Sequence, residues 1–386
     1  MLCMVILVGM GERMAERFLP IYLIALGGGA LSVGILNGLD NLLSALYAFA
    51  GGYLSDRIGS KRALMVFNFI AMCGFLIVIV IPKFQAVLAG AVLFLSWSAI
   101  SLPATMSLIA HVLPTDKRTM GVSMNSFVRR IPMALGPVLG GICIGIWGEQ
   151  DGVRIAFIFA LVLAGVALIL QQRFIEEKQP EKFNGQPDNT PEKNPLKMLP
   201  HIGSSLKKLL VSDILVRFCE QIPYAFVVVW SMKIIAEPVT ALQFGLLTGI
   251  EMTTAMLIYI PVAYFADKSH KKPFVVITFM FFTFFPLMLL FCRSFEWLVL
   301  AFILRGLKEF GEPTRKALIL DLSPDKMKAG MFGTYYLLRD IFVSLAAFGG
   351  AFLWQIGPAT NFLVAFGCGI AGTLWFAIKG SDLANG

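Results

Sequence analysis

The chain has 386 residues, of which 57% are hydrophobic and only 15% charged, and its mean hydropathy is +0.77. That composition excludes a soluble globular domain and a disordered chain. The net charge of +8 invites a nucleic-acid partner, but the bases gather in alternate loops between apolar runs, so they report topology and no nucleic acid is expected.

Apolar runs long enough to cross a bilayer recur along the chain. They predict twelve helical spans, near 4–27, 31–54, 63–82, 86–110, 119–147, 153–173, 207–235, 241–265, 273–292, 296–320, 330–355 and 358–379. The first run lacks a basic start and continues past Arg13 to Gly27, so it reads as a span and not as a signal peptide. Glu176–Pro200 is rich in Glu, Lys, Pro, Asn and Gln without apolar periodicity, which predicts a solvated linker. The expected fold is thus all-α and membrane-embedded, with an N-terminal six-helix bundle (1–173), a cytoplasmic linker (174–206) and a C-terminal six-helix bundle (207–386). One set of loops holds Arg57, Lys61, Arg62, Lys117, Arg118 and many later lysines, against Lys83, Arg154, Lys233 and Arg293 on the other side. That bias places both termini and the linker in the cytoplasm of a cell whose plasma membrane, such as a bacterial inner membrane, holds the protein.

The halves are copies of one unit. Ala30–Arg57 aligns without a gap on Ala241–Lys268, with Ala30, Gly34, Gly38, Tyr53 and Asp56 recurring as Ala241, Gly245, Gly249, Tyr264 and Asp267. Asp40 falls on Glu251, and Arg57 on Lys268. Arg13-Met-Ala-Glu16 with Pro20 is echoed by Arg217-Phe-Cys-Glu220 with Pro223, and Gly140-Gly141 by Gly349-Gly350. Parallel copies of one unit in a membrane are the plan of a secondary transporter, with its site where the copies meet. Charge sorts the spans further. The third, sixth, ninth and twelfth carry essentially none in their interiors, so they read as lipid-facing supports. Most of the others must turn ionisable groups toward protein or water.

Gly52-Tyr-Leu-Ser-Asp56-Arg57-Ile-Gly59-Ser-Lys61-Arg62 resembles the signature between helices 2 and 3 of the major facilitator superfamily, and 263–272 resembles its degenerate second copy. The resemblance implies that fold, and a loop that latches the halves through Gly52, Asp56, Arg57, Gly59 and Arg62, with Asp267 and Lys268 in the second copy. Gly136-Pro137-Val-Leu-Gly140-Gly141 resembles the motif of the family's antiporter branch, which implies a gating role for Gly136 and Pro137 and favours export. The same glycines also suit close helix packing. The family's frequent Arg in helix 4 is missing, since 86–110 holds no charge.

Chemistry concentrates in the tenth span, Arg305-Gly-Leu-Lys308-Glu309-Phe-Gly-Glu312-Pro313-Thr-Arg315-Lys316. On a continuous helix these six charges share an arc of about 120° over about 17 Å, and Gly311 and Pro313 supply a natural bend. A half-buried carboxylate beside an arginine can exchange between a protonated and an ion-paired form, which is how protons couple to alternating access. Asp40, Glu251, Glu309 and Glu312 are the first candidates for that role, with Glu12, Glu16 and Glu220 in reserve. Arginine matches planar anions bidentately, so Arg129, Arg130, Arg217, Arg305 and Arg339, joined by Tyr224 and Tyr336, are the candidate solute contacts. The expectation is a proton-coupled exporter of a small polar solute, anionic or zwitterionic, acting as a monomer in the lipid bilayer. A drug-type antiporter for amphipathic compounds and an uptake symporter or facilitator are the alternatives. The six cysteines lie within spans without metal-ligand spacing, and no cofactor, metal or enzymatic constellation is expected.

Overall fold

The computed structural model describes residues 2–58, 60–95, 118–174, 199–266, 270–324 and 328–382. Among them every regular element is helical: α1 (Leu2–Glu16), α2 (Leu19–Ala25), α3 (Ala30–Ile58), α4 (Ser60–Val80), α5 (Phe84–Phe94), α6 (Arg118–Phe174), α7 (Ser204–Gln221), α8 (Phe226–Val229), α9 (Ala241–Ala266), α10 (Lys271–Phe291), α11 (Phe295–Leu307), α12 (Glu312–Asp321), α13 (Lys328–Ile356) and α14 (Pro358–Lys379). The protein is an all-α membrane protein. Seven helical stretches among the described residues are long and apolar enough to cross a bilayer, and Arg129–Arg173 is long enough to do so twice. Its two passes meet at Gly148, whose φ of 81° is a left-handed conformation that a side chain resists. These helices match the expected span positions wherever residues are described.

Three expected spans are broken, and the breaks follow the sequence. The first span stops at Glu16, and α2 resumes with Pro20 in its first turn, where the missing N–H costs nothing. The seventh stops at Gln221, passes Pro223, and continues as α8 and a π-helical turn over Trp230–Ile234. These are equivalent points of the repeat, each just beyond its Arg-x-x-Glu pair. The tenth span is not the continuous helix that the charge stripe presumes. Residues 308–311 form an irregular turn between α11 and α12, because Pro313 cannot donate back and Gly311 lies against Phe274. The amide of Gly311 donates instead to the Thr278 hydroxyl at 2.5 Å.

The chain gathers into two compact units, 1–182 with 225–252, and 183–224 with 253–386. In the first, α1 runs along α6. A Cβ built at Gly140 would overlap the carbonyl oxygen of Met14, and one at Gly136 would lie 2.7 Å from the Cβ of Arg13. Gly141 meets Ala241 and Gly245 meets Pro137 in the same way, seating the start of α9 on α6. Small residues let these backbones approach, as apolar lipid supplies no hydrophobic drive for it. Phe75, Phe94 and Phe157 join α4, α5 and α6, with centroids 5.2, 5.8 and 5.3 Å apart. In the second unit, Leu206, Val216, Phe279, Phe282, Leu318, Tyr335 and Phe376 form one core that joins α7, α10, α12, α13 and α14.

This packing makes the repeat testable. Gly140→Ala must push α1 away from α6 and should cost about 1–3 kcal/mol or more. The repeat-equivalent Gly349→Ala should be silent, because nothing lies within 4 Å of a Cβ there. Thermal melting of the two purified variants checks both.

Candidate functional site

The site assembles on the repeated Arg-x-x-Glu turn. In the second unit, the Arg217 Nη1 lies 2.6 Å from the Glu220 carboxylate. The first unit builds the same pair, Arg13 Nη1 to Glu16, also at 2.6 Å. The spacing places both side chains on one helix face, and the break that follows ends the helix beside them. Arg17, Glu12 and Asp40 share the electrostatic surroundings of Arg13 and Glu16, and Arg129 those of Glu12 and Arg13. The structure therefore brings together Glu12, Glu16, Asp40 and Arg129 in the first unit. Arg130 is half-buried there, and Glu251 is fully buried.

The second unit extends its pair into a continuous chain of charges. Glu220 also accepts from the Lys308 ammonium at 2.8 Å. Arg217 reaches Glu312 at 3.4 Å. Glu312 accepts two bonds from the Arg315 fork, Nε at 3.0 Å and Nη2 at 2.6 Å. Arg315 Nη1 donates to Asp213, which also accepts from the Tyr335 hydroxyl at 3.0 Å and lies 3.6 Å from Arg339 Nη1. Arg339 in turn holds Asp340 at 2.6 Å and lies over the Tyr336 ring at 4.2 Å. Both Asp213 and Arg315 are only 1% exposed. Each ion buried alone would cost several kcal/mol, so this density of pairing is what lets the helix coexist with lipid.

At one end of the chain lies a small cavity, lined by Glu220, Tyr224, Phe281, Phe282, Phe285, Arg305 and Lys308. Aromatic rings back its cations. The Arg305 guanidinium sits 5.3, 5.0 and 5.7 Å from the rings of Tyr224, Phe285 and Phe302, and Arg217 sits 4.9 Å from Phe282. Such stacking helps hold a cation in a dry site. The ninth span, expected as a bland support, thus supplies three rings to the cavity wall and the Thr278 hydroxyl that holds the break in the tenth. Its phenylalanines are neutral, so sorting by charge passes over them.

Of the expected site residues, Arg217, Tyr224, Arg305, Glu220, Glu312, Arg339 and Tyr336 converge in the second unit, with half-buried Glu309 in the turn between α11 and α12. Asp213 and Arg315 complete the set beyond expectation. Gly136 and Pro137 have a packing role in α6, as given above. Gly52, Asp56 and Arg57 lie on the α3 helix, but their side chains are outside the description; Gly59, Asp267 and Lys268 lie outside the described residues, and Arg62 is exposed at the start of α4. Near the start of α10, Lys271 pairs with Asp321, and Asp382 accepts from the Lys272 amide. Among the described residues no group of three or more His, Cys, Asp or Glu is placed to hold a metal ion.

A transporter of Methanocaldococcus jannaschii described as an uncharacterized MFS-type transporter is 22% identical over 367 residues, covering 92% of this chain and 87% of the relative. The crystal structure of the nucleoside transporter NupG superposes with a TM-score of 0.79 at 13% identity, covering 98% of this chain and 99% of the other. A POT family transporter in complex with a thioalcohol-conjugated peptide follows at 0.76 and 13%, covering 98% and 95%. At those identities the likeness is one of fold. The model of the Major Facilitator Superfamily matches residues 1–232. With its helical repeat, its paired intramembrane charges and this match, the chain is a membrane transporter and belongs to the Major Facilitator Superfamily.

Proposed function

We propose that the protein couples a proton gradient to export of a small polar solute bearing an anionic group, and binds that group in the second unit. One observation carries this reading. Glu220 is shared between Arg217 and Lys308 at the rim of a cavity that also presents Arg305. A proton on Glu220 releases both cations to hold a solute anion, and loss of that proton draws them back. Glu312 suits the exchange less well, since it is held by Arg315 and Arg217 and does not line the cavity. A drug-type site needs aromatic faces open to the solute, whereas those of Phe282, Phe285 and Phe302 are turned to cations. Fold neighbours named for nucleosides and peptides also favour a polar solute. Export rests on the resemblance of the Gly136–Gly141 motif, and the latch at Gly52–Arg62 on that of the loop. The chain works as a monomer, with both termini cytoplasmic, in this reading.

Proteoliposomes under an imposed pH gradient test it with a panel of organic anions and zwitterions. At least one solute should accumulate against its concentration gradient, and accumulation should collapse when a protonophore is added. Solute movement that ignores the pH gradient would overturn proton coupling.

A further inference from the structure

The tenth span does more than bend between Leu307 and Glu312. We infer that Thr278, a neutral residue of the ninth span, is a positioning residue for proton coupling: its hydroxyl sets the turn that holds Lys308 on Glu220. This deepens the reading of Glu220 above and rests on it.

The backbone of this turn is overwound. The amides of Lys308, Glu309, Phe310 and Glu312 donate to the carbonyls of Arg305, Gly306, Leu307 and Glu309, each three residues back. Such bonds turn the chain ~20° further per residue than an α-helix does. The extra rotation splits the charge stripe in two. Arg305 and Lys308, before or at the start of the turn, line the cavity. Glu312 and Arg315, after it, close on Arg217 and Asp213. Gly311 breaks the pattern, because its amide leaves the ladder for the Thr278 hydroxyl. An α-helical turn would return that amide to the Leu307 carbonyl and cancel the offset.

The packing around the hydroxyl fixes the turn in place. Thr278 is fully buried and stands on α10 between Phe274 and Phe281, about one turn from each and on the same face. Phe310 lies against both rings, stacked on Phe274 at 5.7 Å and edge-on to Phe281 at 6.1 Å. A Cβ at Gly311 would lie 2.5 Å from the Phe274 carbonyl oxygen and 2.6 Å from the Thr278 hydroxyl, so glycine is what lets the amide approach. Phe281 also lines the cavity, which makes the face that seats the turn continuous with the cavity wall.

Lys308 is where the turn meets the chemistry, since its ammonium donates to Glu220 at 2.8 Å. Arg217 faces Glu220 from its own helix, Arg305 from α11, and Tyr224 lines the same cavity. Glu309 shares the turn with Lys308. Among the described residues, α10 contributes only rings to the cavity, α13 turns Tyr335 and Arg339 to Asp213, and α14 sets the Cys368 thiol near Cys219. Of the cations beside Glu220 named here, Lys308 is the one that the turn carries. What fixes the turn therefore fixes the hold of Lys308 on that carboxylate.

Thermal melting of the purified full-length protein tests the inference as a double-mutant cycle. Thr278→Val keeps the shape and removes the acceptor, so it should lower the melting temperature, and Thr278→Ser should restore it. The same Thr278→Val change in a Lys308→Met or a Glu220→Gln background should cost about half as much or less, because the contact that it disturbs is already gone. A hydrogen bond that only holds helices together costs the same in all three backgrounds, and that additive result overturns the inference. Infrared difference spectra supply a second readout. The carboxylate band that disappears in Glu220→Gln should shift in Thr278→Val and return in Thr278→Ser; a band that stays in place also overturns the inference. If Thr278→Val fails to fold, Phe310→Leu loosens the same turn without removing a hydrogen bond, and it decides the cycle. Gradient-driven flux with the panel of organic anions and zwitterions is read separately. Additive costs alongside gradient-driven flux overturn the positioning role alone, while a coupled cycle with flux that ignores the gradient overturns proton coupling alone.

Discussion

Asp213→Ala should destabilise the protein by about 3–5 kcal/mol, because it removes the buried carboxylate that Arg315, Tyr335 and Arg339 share and leaves Glu312 alone to balance Arg315. Asp213 accepts from Arg315 and Tyr335 and faces Arg339, tying α7 to α12 and α13. Arg315 is the largest fully buried side chain among the described residues. The loss is therefore desolvation that Glu312 repays only in part, far above the ~1 kcal/mol of an exposed pair. A second substitution separates this cause from lost packing. Asp213→Leu combined with Arg315→Met removes both charges and leaves Glu312 with Arg217 and Lys316. That double variant should melt well above Asp213→Ala. If the double variant is the worse of the two, the stabilisation lies in the hydrogen-bond geometry and not in charge compensation.

Glu220→Gln should separate transport from coupling. The amide keeps the shape and can still accept from Arg217 or Lys308, but it cannot carry a proton on and off. Gradient-driven flux should fall about 100-fold, the equivalent of ~2.7 kcal/mol, while exchange of solute across the bilayer without a gradient continues. The equivalent change in the first unit, Glu16→Gln, should have the smaller effect. Glu16 pairs with Arg13, whereas Glu220 stands between two cations at the cavity. A flux assay that reads gradient-driven and exchange modes on each variant checks this, and equal losses in both modes would make Glu220 a structural residue.

Much of this architecture was legible in the chain itself. Apolar length located the spans, because lipid forces the backbone to satisfy its own hydrogen bonds. The duplicated Arg-x-x-Glu turn with its following proline announced both the ion pair and the helix break, since each is a local consequence of spacing. The tertiary partners were less legible. Asp213 sits one turn before Arg217, at the spacing of a helical pair, but its counterpart in the first copy is Gly9, so comparison of the repeats passes over it. Arg315 was visible in the tenth span, yet nothing local says that its fork closes on Glu312 and Asp213 together. Phe282 and Phe285 read as lipid-facing because neutral rings look the same whether they meet acyl chains or a guanidinium. The tenth span showed its bend through Gly311 and Pro313, and the four-residue interruption came from the Thr278 hydroxyl on a different helix.

The central claim is that protonation of Glu220 is linked to solute at this site, and proton movement tests it most directly. Proteoliposomes with a trapped pH indicator, at no initial gradient, would receive the solute found in the flux panel. Solute-dependent movement of protons in the unmodified protein, absent in a Glu220→Gln variant that still exchanges solute, is the predicted result. Equal proton movement in both proteins, or solute flux with none in either, would contradict the account.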